Sequence, residues 1–135
     1  MNILIVFGTR PEAIKLAPVI LELKKHPKKF KVRVIVTAQH REMLDQVLKI
    51  FNIKPDIDLN LMEKNQTLVG FAAKALTSLD KCFKQEKPDM ILVQGDTTTT
   101  WAASLAAFYN RIRIGHVEAG LPPRRETAFR PSQRR

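Results

Sequence analysis

The chain is poor in the residues that would point to several large classes of protein. Its 135 residues hold one cysteine, Cys82, so an internal disulfide and any multi-cysteine metal site are excluded. Cys82 falls at an apolar helical position and reads as a small core residue. Aromatic side chains make up 7% of the sequence, and neither a recognition-helix nor an RNA-binding signature is present. No apolar run approaches the roughly 20 residues that span a bilayer. The apolar start, Ile3 to Phe7, is too short for a signal-peptide core and has no basic leader. A soluble cytoplasmic protein with neither a membrane nor a nucleic-acid partner is therefore expected. Both the GxxxxGK[ST] phosphate loop and the GxGxxG dinucleotide fingerprint are missing, as are internal repeats and low-complexity tracts.

What is there is a core-forming composition, 44% hydrophobic and 27% charged, at a length that suits one domain. The net charge is +10. Residues 122–135, with five Arg and one Glu, contribute +4 of it. Much of the remainder sits in Lys24, Lys25, Lys28, Lys29 and Lys31, a run that reads as a solvated face around a turn.

Hydropathy alternates between two kinds of segment. Asn2–Phe7, Lys31–Thr37, Met90–Gln94 and Ile112–Val117 read as strands, and the continuous apolarity of Asn2–Phe7 and Met90–Gln94 is that of strands buried on both faces. Between them lie helical periodicities. The first starts near Pro11, with Ile14, Ala17, Ile20, Leu21 and Leu23 as its apolar positions, and ends by His26-Pro27. Pro18 is expected to kink or split it. Arg41–Phe51 is the second, Gln66–Glu86 the clearest, and an alanine-rich stretch to Tyr109 the last. Lys54–Met62 is ambiguous between a loop and a short edge strand. Strands separated by helices of this length build βαβ units, hence a doubly wound, mostly parallel α/β sheet with ligands bound outside the carboxyl ends of its strands.

The conspicuous polar groups fall at those ends. Gly8-Thr9-Arg10-Pro11-Glu12, with Lys15 a turn later, combines a tight turn, a helix amino terminus and two cations, which suits a diphosphate or another oxyanion. An ordinary turn with two exposed cations explains it equally well. Gly95-Asp96 followed by four threonines places a carboxylate at a helix start. Capping accounts for one of these residues well and for all of them badly. In His116-Val117-Glu118 the first and last side chains share a strand face. With Asp96 nearby, two carboxylates and an imidazole suit acid–base chemistry, since mutual repulsion raises one carboxyl pKa. The H-x-E spacing also occurs in zinc deaminases, but the P-C-x-x-C that follows there is absent, so no metal is expected. His40 in Thr37-Ala38-Gln39-His40 reads as a helix-start residue.

Taken together, ILIVFGTRPEAIKLAPVI, VTAQHREMLDQVL and PDMILVQGDTTTTWAASLAAFYNRIRIGHVEAGL, in that order over Met1–Leu121, resemble the non-hydrolysing UDP-N-acetylglucosamine 2-epimerases. The resemblance implies a Rossmann-like domain over 1–121, one half of a GT-B-type two-domain fold. It implies interconversion of UDP-GlcNAc and UDP-ManNAc by elimination and re-addition of UDP, without metal or redox cofactor, in a cytoplasmic homodimer serving cell-surface polysaccharide synthesis. It assigns Asp96 and Glu118 to proton transfer at C2 of the sugar, and Arg10, Lys15 and His116 to the substrate. Gln39 and His40 match the region that binds a second, regulatory UDP-GlcNAc in bacterial members, although Asn65 stands where many members carry Arg.

After Leu121 the family pattern, with a further catalytic Glu and Arg, gives way to an Arg/Pro-rich stretch. Neither Glu126 nor Arg135 matches those roles. The break suggests a frameshifted or truncated reading frame, a poorly ordered basic tail over 122–135, and no second domain. The competing functional reading is a nucleotide- or anion-binding module that needs a partner chain.

Overall fold

A computed structural model describes residues 1–38 and 40–118. The expectations for Gln39 and for the tail over 122–135 lie outside the described residues. Nine elements alternate: β1 (Asn2–Phe7), α1 (Arg10–Lys24), β2 (Lys31–Val36), α2 (Arg41–Ile50), β3 (Ile57–Asp58), α3 (Leu68–Glu86), β4 (Met90–Gln94), α4 (Thr98–Tyr109) and β5 (Arg113–Val117). The strands form one parallel sheet in the order β3-β2-β1-β4-β5. The doubly wound α/β expectation holds, and the ambiguous 54–62 segment supplies the two-residue strand β3 beside β2.

β1 shows why its apolarity is continuous. Leu4 and Val6 pack with α3 and α4 on one side, while Ile3, Ile5 and Phe7 pack with α1 and α2 on the other. A central strand alternates its side chains between two cores, so both sets must be apolar. On the first side α4 presents Ala102, Ala103, Ala106 and Ala107, all fully buried. Side chains this small let the helix backbone lie close to both the sheet and α3.

Two expectations about α1 are corrected. The buried stripe is Ala13, Leu16, Ala17 and Ile20, an i, i+3, i+4, i+7 set, whereas Ile14 and Leu21 are exposed. Pro18 does not split the helix, which runs unbroken from Arg10 to Lys24. Pro18 and Ile14 are both exposed, so the Ile14 carbonyl, which loses its helical donor at Pro18, is on the side where water can reach it. α3 likewise begins later than expected, at Leu68, with Thr67 Oγ1 accepting from Gly70 N at 2.9 Å. Leu68 itself is exposed. The helix ends with Lys87 in the left-handed region (φ 46°), followed by Pro88. Among the described residues no helix is long and apolar enough to cross a membrane.

Candidate functional site

In a sheet ordered 3-2-1-4-5, the chain reverses its direction of travel between β1 and β4. The loops leaving these two strands diverge to opposite faces and leave a crevice at the carboxyl edge. A cleft of about 420 Å³ lies there, lined by Thr9, Pro11, Glu12, Lys15, Gln94, Gly95, Asp96, Thr97, His116 and Glu118. Three adjacent strands thus deliver the GTRPE, GDTT and HVE segments to one cavity.

Four of the five residues expected at the active centre, Lys15, Asp96, His116 and Glu118, line this cleft. Arg10 does not. It is the first residue of α1 and is exposed, between two residues that do line it. His40 caps α2 at the end of β2, away from the cleft lining, and its side chain makes no capping hydrogen bond.

The imidazole is held by a backbone carbonyl and lies close to one carboxylate. His116 Nε2 lies 2.8 Å from the Gly95 carbonyl oxygen, an acceptor only, so this nitrogen carries the proton. The same Nε2 is 3.8 Å from Glu118 Oε2, as the shared strand face requires. Gly95 turns with φ 76°, a conformation open to glycine at little cost, and this turn presents Asp96 to solvent. Gln94 is 2% exposed. Its amide oxygen accepts from Lys15 Nζ at 3.2 Å and from Gly95 N at 3.1 Å when turned toward them, which ties the lysine to the floor of the cleft.

The threonine run divides its labour. Thr97 caps α4 by accepting from Thr100 N at 3.3 Å. Thr99 Oγ1 bonds Thr37 Oγ1 at 2.9 Å in the interior, and Thr100 Oγ1 donates to the Gln94 carbonyl at 2.7 Å. Three of the four hydroxyls therefore pin the loop to its surroundings.

Glu12 stood in the sequence only as the last residue of the Gly8–Glu12 segment. Its carboxylate is 1% exposed and is a hydrogen-bond hub between the first and second loops. The signal was present: Thr9-x-x-Glu12 is a capping-box spacing, and Glu12 Oε2 accepts from Thr9 N at 2.8 Å.

The charge balance bears on the chemistry. The lining holds three carboxylates, Glu12, Asp96 and Glu118, against one ammonium, Lys15. Such a wall suits proton removal better than the holding of a diphosphate, whose charge needs more cations than are found here. Among the described residues no group of His, Cys, Asp and Glu side chains has the geometry to hold a metal ion.

Fold and cleft together define a doubly wound parallel α/β domain with a cleft at the topological switch point. The UDP-N-acetylglucosamine 2-epimerase family model matches residues 21–127, and the chain belongs to that family. It is 62% identical over 121 residues to the UDP-N-acetylglucosamine 2-epimerase of Bacillus subtilis and 60% identical over 121 residues to that of Neisseria meningitidis, covering 90% of this chain and 32% of each relative. The crystal structure of the Neisseria meningitidis enzyme bound to UDP-GlcNAc superposes with a TM-score of 0.84 at 58% identity, over 93% of this chain and 33% of that one. The Methanocaldococcus jannaschii enzyme in complex with UDP-GlcNAc and UDP gives 0.81 at 37% identity, over 90% and 33%. The chain therefore spans about a third of the length of the relatives it matches.

Proposed function

We propose that residues 1–121 form the sugar-facing amino-terminal domain of a UDP-GlcNAc 2-epimerase, one half of a GT-B-type pair of domains. The observation that supports this most directly is the cleft in which Lys15, Asp96, His116 and Glu118 meet at the ends of β1, β4 and β5. In this reading one of the carboxylates Asp96 and Glu118 takes the C2 proton. The C1–O bond to UDP breaks as a C1=C2 double bond forms, giving a 2-acetamidoglucal. UDP oxygen then adds back to C1 as the double bond takes up a proton at C2 from the opposite face, delivered by the other carboxyl group, so the C2 configuration is inverted. Arg10, Lys15 and the amino terminus of α1 stabilise the charge that develops on the departing UDP.

A pocket with an acidic surplus binds UDP poorly without cations from elsewhere, so the proposal assigns most of the nucleotide contacts to a second domain that closes over the cleft. The ligands are UDP-GlcNAc and UDP-ManNAc, and the setting is cytoplasmic. The full-length protein pairs with a second copy of itself. The exposed Trp101, Phe108 and Tyr109 of α4 offer apolar surface for such a contact, and sedimentation of the full-length protein as a monomer would count against the pairing.

The catalytic assignment is tested by continuing this chain into the carboxyl-terminal two-thirds of the Bacillus subtilis relative and following UDP-ManNAc formation from UDP-GlcNAc. Asp96→Asn and Glu118→Gln should each lower kcat about 100-fold or more, the scale of a lost acid or base. Turnover unchanged in both variants refutes the roles, and an inactive parent chimera counts against the epimerase reading itself.

A further inference from the structure

Glu12 is a charged group at an unusual depth. It is 1% exposed on the wall of the cleft, and no lysine or arginine pairs with it among the described residues. Burying a carboxylate costs several kcal/mol unless hydrogen bonds replace its water. Here both oxygens are supplied. Oε2 accepts from Gly8 N at 3.0 Å, Thr9 N at 2.8 Å and Thr9 Oγ1 at 2.8 Å. Oε1 accepts from Thr97 Oγ1 at 2.6 Å, across 85 positions of sequence. Thr100 Oγ1, at 3.4 Å, is the weaker neighbour because its single proton is committed to the Gln94 carbonyl at 2.7 Å.

The two oxygens thus face two different loops. One holds the turn that precedes Arg10. The other holds the hydroxyl of the residue after Asp96, and that hydroxyl in turn accepts the Thr100 N–H that starts α4. A side chain placed for stability alone does not need to reach both of these segments at the lining of a cavity.

We propose that Glu12 is a positioning residue. Its carboxylate clamps the β1–α1 turn to the β4–α4 turn and so sets the spacing between the cations of the first and the carboxylate of the second. The clamp itself rests on geometry, and its bearing on catalysis rests on the epimerase reading. Length and donor pattern matter more than charge in this arrangement. Glutamine keeps the reach: its oxygen can accept from Gly8 N and Thr9 N while its amide donates to Thr97 Oγ1. Aspartate keeps the charge but is one methylene too short to serve both loops.

The test is amide hydrogen exchange, followed by NMR, on the 135-residue chain and its Glu12→Asp, Glu12→Gln and Thr97→Val variants, with each variant's melting temperature measured alongside. A loss of stability alone speeds exchange throughout the core by a common factor. Clamping predicts that Glu12→Asp raises exchange at Gly8 and Thr9 about tenfold or more beyond that common factor. Thr97→Val, at the far end of the bridge, should raise exchange at the same two amides about threefold. Glu12→Gln should stay within about twofold of the parent.

Equal behaviour of Glu12→Asp and Glu12→Gln, or no response of Gly8 and Thr9 to Thr97→Val, overturns the clamp. The chimera described above, carrying the same substitutions and titrated with UDP-GlcNAc, separates the two ideas. Shifts at the cleft amides that weaken in Glu12→Asp and persist in Glu12→Gln support both. No shifts in the parent count against the ligand reading and leave the exchange result to decide the clamp.

Discussion

Replacing Thr99 by valine deletes one hydroxyl from the interior and leaves another stranded. Thr37 and Thr99 are both fully buried and bond each other at 2.9 Å across 62 residues, joining the end of β2 to the first turn of α4. A buried polar group left without a partner costs about 1–3 kcal/mol, whereas removing both partners together is close to neutral. Thr99→Val should therefore lower stability by about 2 kcal/mol, a fall in Tm of about 8 °C for a domain of this size. Thr37→Val should cost a similar amount, about 2 kcal/mol, because it strands the Thr99 hydroxyl, which at the second position of α4 has no helical turn before it to return to. The double variant should be no worse than Thr99→Val alone, a coupling of about 1 kcal/mol or more. Urea unfolding of the parent, both single variants and the double measures this cycle. If the double equals the sum of the singles to within about 0.4 kcal/mol, the hydroxyls do not depend on each other and the account of the threonine run fails.

Other outcomes are expected on the same footing. Phe83, 1% exposed on the buried face of α3, should cost about 3–5 kcal/mol on truncation to alanine, enough to unfold a marginal domain, as circular dichroism would show. Gly95→Ala meets no steric obstacle, but the φ of 76° penalises any Cβ by about 1 kcal/mol; a parent-like Tm would contradict this. The Arg41 guanidinium beside Asp58 holds that carboxyl below the usual carboxylate range. A depressed pKa gives stability that is complete above the unfolded value and is lost as pH falls through the folded one. The Tm gap between the parent and Asp58→Asn should therefore shrink on going from pH 7 to pH 3. Burial, with Glu86 nearby, pushes the Cys82 thiol up, so its reaction with a disulfide reagent at pH 8 should be roughly tenfold or more slower in the native chain than in urea. Finally, the 135-residue polypeptide by itself should form no measurable UDP-ManNAc, since the proposed reading leaves closure of the cleft against water to a second domain.

Most of the architecture was legible because it rests on patterns of short range. Continuous apolar runs marked Asn2–Phe7 and Met90–Gln94 to the residue, and the periodicity over Gln66–Glu86 marked α3, which ends at Glu86 as expected. The misreading of Ile14 and Leu21 has a plain cause. Both satisfy a helical period with Ala17, but so does the set 13, 16, 17 and 20, and only contact with the sheet selects between them. The candidate site was legible as residue types, since glycine, acids and imidazole at strand ends are local facts.

Local chemistry by itself therefore determined which segments are strands or helices, that the strands run parallel, and that Lys15, Asp96, His116 and Glu118 lie at the carboxyl edge, because each of these follows from neighbours in the chain. Tertiary structure alone decided partnership. It gave the Glu12 carboxylate to Thr97 and the Thr99 hydroxyl to Thr37, and it left Arg10 beside the cleft lining rather than in it. The physical reason is reach: a hydrogen bond acts over about 3 Å, and which donors come that close to an oxygen many residues away is set by how helices pack on the sheet.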